Sequence, residues 1–124
     1  MGNEQPCFYE DFKEMGSKFY FVTPRSKNSF KNRKEIDELL KIKRFDIIHF
    51  HLNTLSYVEP VYSGIRKNIK VILHSRNGNA PNSLVTKILH KINFLMLPHS
   101  KIKKLAVSEL AGDWLFGKNL IILL

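Results

Sequence analysis

An α/β fold built on a parallel sheet is predicted by three features of this sequence. Short apolar runs are rich in β-branched and aromatic residues, helical spacing fills the segments between them, and those segments are too long for hairpins. The runs lie at 18–23 (KFYFVT), 45–51 (FDIIHFH), 70–75 (KVILHS) and 104–108 (KLAVS). Between them, Ile36, Leu39 and Leu40 mark one helix and Val58, Val61, Tyr62 and Ile65 a second. Leu84, Val85, Ile88, Leu89, Ile92 and Leu95 mark a third. Parallel strands need long crossovers, so the alternation reads as an incomplete Rossmann-like parallel sheet flanked by helices.

The elements follow in chain order. A short helix is expected over 8–15, and 24–32 (PRSKNSFKN) reads as an exposed loop before the helix that carries Lys34. Ser56 with Glu59 has the spacing of a capping box, and Pro60 requires the helix there to begin close before it, around 56–58. Asn82 or Ser83 is placed to cap the Leu84 helix, and Ser108 to cap one beginning at Glu109, which Gly117 ends. The run 120–124 (LIILL) reads as a further buried strand, and with no strand ahead of Phe8 the chain is expected to be truncated at both ends.

At 124 residues the chain has room for one domain. The 44% hydrophobic and 25% charged residues are those of a folded globular protein. A formal charge of +9 invites an anionic partner, be it nucleic acid, an acidic membrane surface or a phosphorylated sugar. The cations are dispersed and match no helix-turn-helix or RNA-recognition pattern, which argues against nucleic acid. The alternative of a small basic nucleic-acid-binding protein therefore ranks second. The cluster 101–104 (KIKK) reads as a solvated segment before a strand. With a lone Cys7, no leader pattern and no apolar run long enough to span a bilayer, a cytoplasmic location is expected, with at most peripheral membrane contact.

Ligands of open parallel sheets bind beyond the carboxyl ends of the strands. Polar residues fall there on three runs: His49 and His51, then His74, Ser75, Arg76 and Asn77, then Ser108 with Glu109. Residues two apart on a strand share a face, so His49 and His51 point the same way. Two such histidines can begin a metal site, but no nearby carboxylate or cysteine pattern completes one, and no metal is expected. Arg76 is the cation best suited to a phosphate or to sugar hydroxyls. No P-loop, GxGxxG or Ser-His-Asp order occurs.

The run RFDIIHFHLN (44–53), then KVILHSRN (70–77), then KLAVSELAGDWLFGKN (104–119) resembles, in order, the N-terminal domain of glycosyltransferase family 4, and is most similar to exopolysaccharide and capsule-synthesis members. The likeness spans 8–119, and its last motif is the most specific. It implies a GT-B architecture in which this chain is a partial N-terminal, acceptor-side domain over 1–124, with the donor-binding C-terminal domain absent. It further implies retaining transfer from a nucleotide sugar to a glycan or lipid-linked acceptor, with no metal and no cofactor besides the donor substrate. His74 becomes the catalytic-cleft residue, with His51, Ser75, Arg76, Asn77 and Ser108 binding substrate. The family's glycine-rich first loop and paired-glutamate domain are not found in this sequence, so the chain alone is expected to be inactive, or a non-catalytic remnant.

Overall fold

A computed structural model describes residues 5–118 and the backbone of 122–123. The order is α1 (Tyr9–Glu14), α2 (Ser29–Ile42), β1 (Ile47–Leu52), α3 (Glu59–Arg66), β2 (Lys70–Ser75), α4 (Leu84–Met96), a 3-10 turn (His99–Lys101), β3 (Ile102–Ala106), α5 (Glu109–Phe116) and β4 (Ile122–Leu123). The sheet is parallel throughout, in the order β1-β2-β3-β4. The α/β class and the parallel sheet are those that the alternation of runs predicts. Of the expected terminal strand, Leu120, Ile121 and Leu124 lie outside the described residues.

Alternation along the strands divides the sheet into two faces. Phe50 and Leu52 of β1, Val71 and Leu73 of β2 and Ile102 of β3 join Leu55, Val58, Val61, Leu97, Leu115 and Phe116 in the core. Helix α3 lies close on that face: a Cβ on Gly64 would come within 3.1 Å of Ile48 and 3.2 Å of Val71. Helix α5 packs on the same face, where the buried Ser75 hydroxyl donates to the Ala111 carbonyl at 2.6 Å. The opposite face carries Ile47, His49 and His51, then Lys70, Ile72 and His74, then Lys103 and Leu105, as the register pairs them.

Local chemistry sets the boundaries. Ser83 accepts from the Thr86 N–H and Ser108 from the Ala111 N–H, each as the N-cap of its helix. Gly117, at φ 75, ends α5 in a conformation that costs glycine little. Asn68, at φ 57, turns the chain out of α3 toward β2, using the left-handed region that asparagine tolerates best after glycine.

Several sequence expectations are corrected. The run 18–23 forms no strand: its β-forming residues have no neighbour to pair with, and Phe19 packs on Tyr9 while the Thr23 N–H donates to Glu35 of α2. Ser56 does not cap α3, because its hydroxyl bonds to Thr54; the helix starts at Glu59 with Val58 as an uncapped N-cap and Pro60 in its first turn. The loop from Pro24 stops at Asn28, whose side chain caps α2. β3 begins two residues earlier than expected, so Lys103 and Lys104 lie within it and not in a solvated lead-in. Lys104 Nζ sits 5.9 Å from the Phe116 ring centroid, and burial lowers its pKa. Helix α4 presents Leu84, Val85, Ile88, Ile92 and Leu95 to solvent.

The loop after β1 is held from two helices. The buried Leu55 N–H donates to His90 Nδ1 at 3.0 Å, and Asn93 donates to the Leu55 carbonyl at 2.6 Å. Trp114 stacks on His90 with centroids 4.4 Å apart and donates to the Asn53 carbonyl at 2.8 Å. Nδ1 must be unprotonated to accept, and burial lowers the His90 pKa from its ordinary 6.5, against a smaller raising effect of a backbone hydrogen bond with Trp114. The stability this latch contributes is complete above pH 6.5 and is lost as pH falls through the lower folded-state value. Denaturant unfolding followed from about pH 7.5 to 5 therefore shows a falling midpoint. The His90→Ala variant strands the Leu55 N–H and loses about 1–3 kcal/mol at pH 7.5.

Candidate functional site

The parallel pairing of β1 with β2 sets His51 directly opposite His74, and His49 opposite Ile72 one step back on the same face. Three imidazoles meet as a result. Ring centroids are 4.4 Å apart for His49 and His51, 5.2 Å for His49 and His74, and 5.0 Å for His51 and His74. The first two pairs stack and the third is tilted. His49 Nε2 and His74 Nδ1 share a hydrogen bond of 3.1 Å, which requires one ring to donate and the other to accept. One ring nitrogen from each of the three lies within 4.8 Å of those of the other two.

The cluster is graded in exposure. His49 and His51 are exposed, whereas His74, on the central strand, is 9% exposed and its Nε2 is buried with no hydrogen-bond partner among the described residues. Burial lowers the His74 pKa, and the positive charges of His49 and Arg76 lower it further. His51 is lowered by desolvation first and then by His49, His74 and Arg76. Near neutral pH both rings are therefore neutral, each offering one acceptor and one donor. Arg76 is exposed just beyond β2, and its backbone N–H reaches the Leu52 carbonyl at 3.5 Å, carrying the ladder one residue past the strand.

Not every residue expected at the site faces it. Ser75 is a correction: neighbours on a strand point to opposite faces, so it is fully buried against α5 while His74 faces the other way. Ser108 is engaged as the cap of α5. Asn77 is exposed, and its side-chain oxygen accepts from the Asn79 N–H at 3.0 Å, closing a local turn. Gly78 follows because a Cβ there would meet the Leu110 side chain at 2.5 Å. His49 is the ring that sequence reasoning left out of the site, although its spacing from His51 already placed both on one face.

Clefts also lie away from the histidines. One of about 890 Å³ runs along α2 and α3 and is lined by Arg33, Lys34, Lys41, Arg66 and Lys67, with Asp37 and Glu38. Three of its cations are already paired, Arg33 with Glu59, Lys34 with Glu38 and Lys67 with Asp37, which leaves Lys41 and Arg66 without an ion pair among the described residues. Among the described residues, the histidine cluster is the group of three potential ligand side chains that the fold gathers, set toward the carboxyl ends of β1 and β2.

In a proton-NMR titration, the ring signals of His51 and His74 move at lower pH than that of an unperturbed imidazole, and His74→Gln shifts the His51 transition upward by removing a neighbouring positive charge. A His74 ring that titrates at or above the ordinary value contradicts the burial described here.

Neither a family model, a curated protein nor a solved structure matches this chain.

Proposed function

We propose that this chain is the acceptor-side part of a retaining glycosyltransferase of the family 4 type, with a GT-B arrangement, acting in exopolysaccharide or capsule synthesis. The observation that carries the reading is the direct pairing of His51 with His74, the histidines of two separate motifs, on neighbouring parallel strands. Sheets of this kind take ligands beyond their carboxyl ends, where Arg76 and Asn77 also lie.

Retaining transfer builds positive charge at the anomeric carbon and negative charge on the departing diphosphate. A neutral His74 can accept a hydrogen bond from a sugar hydroxyl at Nδ1 by exchanging its bond with His49, and the guanidinium of Arg76 suits an anionic oxygen. His51 lies against His74 with its ring tilted, and Asn77 offers an amide nitrogen in the loop after β2. Ser75 and Ser108 act in this reading only through the fold. The donor is a nucleotide sugar and the acceptor a glycan or lipid-linked saccharide. The net charge of +9 favours a phosphorylated donor and peripheral contact with an anionic membrane surface at the cytoplasmic side. Among the described residues, no helix is long and apolar enough to cross a membrane.

The test is a heteronuclear NMR titration of the chain with UDP-glucose, GDP-mannose and short oligosaccharides. Shifts confined to His51, His74, Arg76 and Asn77, lost in His74→Gln and kept in Ser75→Ala, are the expected outcome. Spectra unchanged at millimolar concentrations of every sugar overturn the reading. Ser75→Ala also loses about 1 kcal/mol of stability on urea unfolding, since the buried Ala111 carbonyl loses that donor.

A further inference from the structure

The three imidazoles lie close together, two exposed and one buried, with no acidic partner among the described residues. Among the described residues, the group of potential ligands contains His49, His51 and His74 and no carboxylate or thiol. We propose that these three histidines form a binding site for one divalent transition-metal ion of the zinc type. The inference does not rest on the sugar-transfer reading, because neither donor nor acceptor enters it.

The first argument is geometric. In a tetrahedral site with Zn–N distances of about 2.0–2.1 Å, ligand nitrogens stand about 3.3 Å apart. His49 Nε2 and His74 Nδ1 are already 3.1 Å apart, held together by one shared proton that an ion can replace. His51 belongs to the same set, whose ligand atoms all lie within 4.8 Å, so closing it requires movement on the order of 1.5 Å. Exposed rings move that far by side-chain rotation, and both His49 and His51 are exposed. The buried His74 on the central strand supplies the fixed point.

The second argument is chemical. Imidazole nitrogen selects zinc, copper, nickel or cobalt over magnesium and calcium, which require oxygen ligands. Three protein ligands leave a fourth position for water or another small ligand. A histidine–histidine hydrogen bond alone accounts for one nitrogen each of His49 and His74. It gives no reason for His51 to lie against both. A single cation gives all three rings one common partner.

The experiment titrates the full chain, carrying no tag histidines, with Zn²⁺ by calorimetry and with Co²⁺ by visible absorption. One ion per chain and the intense visible bands of four-coordinate Co²⁺ are expected. His49→Ala and His51→Ala each weaken binding by about tenfold or more, and both rings are exposed, so these variants keep the fold. His99→Ala, on the turn before β3, leaves the affinity unchanged. Absence of saturable binding, or equal affinity in the His49→Ala/His51→Ala double variant, overturns the proposal. Zinc binding without sugar-induced shifts removes the transferase reading alone, and sugar-induced shifts without zinc binding remove this one alone.

Discussion

The register between β1 and β2 is the constraint on which the arrangement depends. Side chains alternate along a strand, so a slip of one residue would carry Ile48, Phe50 and Leu52 out of the core and drive His49 and His51 into it. Apolar burial on one face and imidazole clustering on the other are thus two results of one pairing. The core specifies it strongly, because Phe50 and Leu52 pack with Leu55, Val61, Leu115 and Phe116, and solvating them would forfeit most of that contact. The histidines receive their geometry from a packing problem solved on the far side of the sheet.

Periodicity carried much of the fold. The helical patterns of α2, α3 and α4, the caps at Ser83 and Ser108 and the stop at Gly117 are short-range features, and a linear sequence displays them directly. Pairing partners are long-range features, which a linear sequence does not display. The run at 18–23 has good strand composition, yet the hydrogen bonds that would make it a strand went to α2. Ser56 and Glu59 have the capping-box spacing, but Thr54 competes for the serine hydroxyl. In the site, alternation alone joins His49 to His51 and parts Ser75 from His74. The arrival of His74 beside them depends on a register no local pattern states.

Polar residues near the carboxyl rim divide by what their atoms already hold. The Ser75 hydroxyl, the Ser108 hydroxyl and the Asn77 side-chain oxygen each satisfy a backbone group, and removing them would be felt first as lost stability. His74 Nε2 satisfies nothing, although it is buried. Unsatisfied buried polar atoms are uncommon in folded proteins, and among the described residues His99 Nδ1 shares this state, but only His74 Nε2 belongs to the histidine cluster. That contrast sets the histidine face apart from the serines, whose hydroxyls are held by the fold.

The loop after β1 ties distant parts of the chain together. Asn53 and Leu55 are gripped by His90 and Asn93 from α4 and by Trp114 from α5, two helices separated in sequence by β3. Neither helix can lift away without freeing that loop, and the loop cannot loosen without exposing Leu55, which is fully buried. The strand it leaves is the one that bears His49 and His51. The backbone that carries the imidazoles thus runs directly into a loop clamped by a tryptophan–histidine stack.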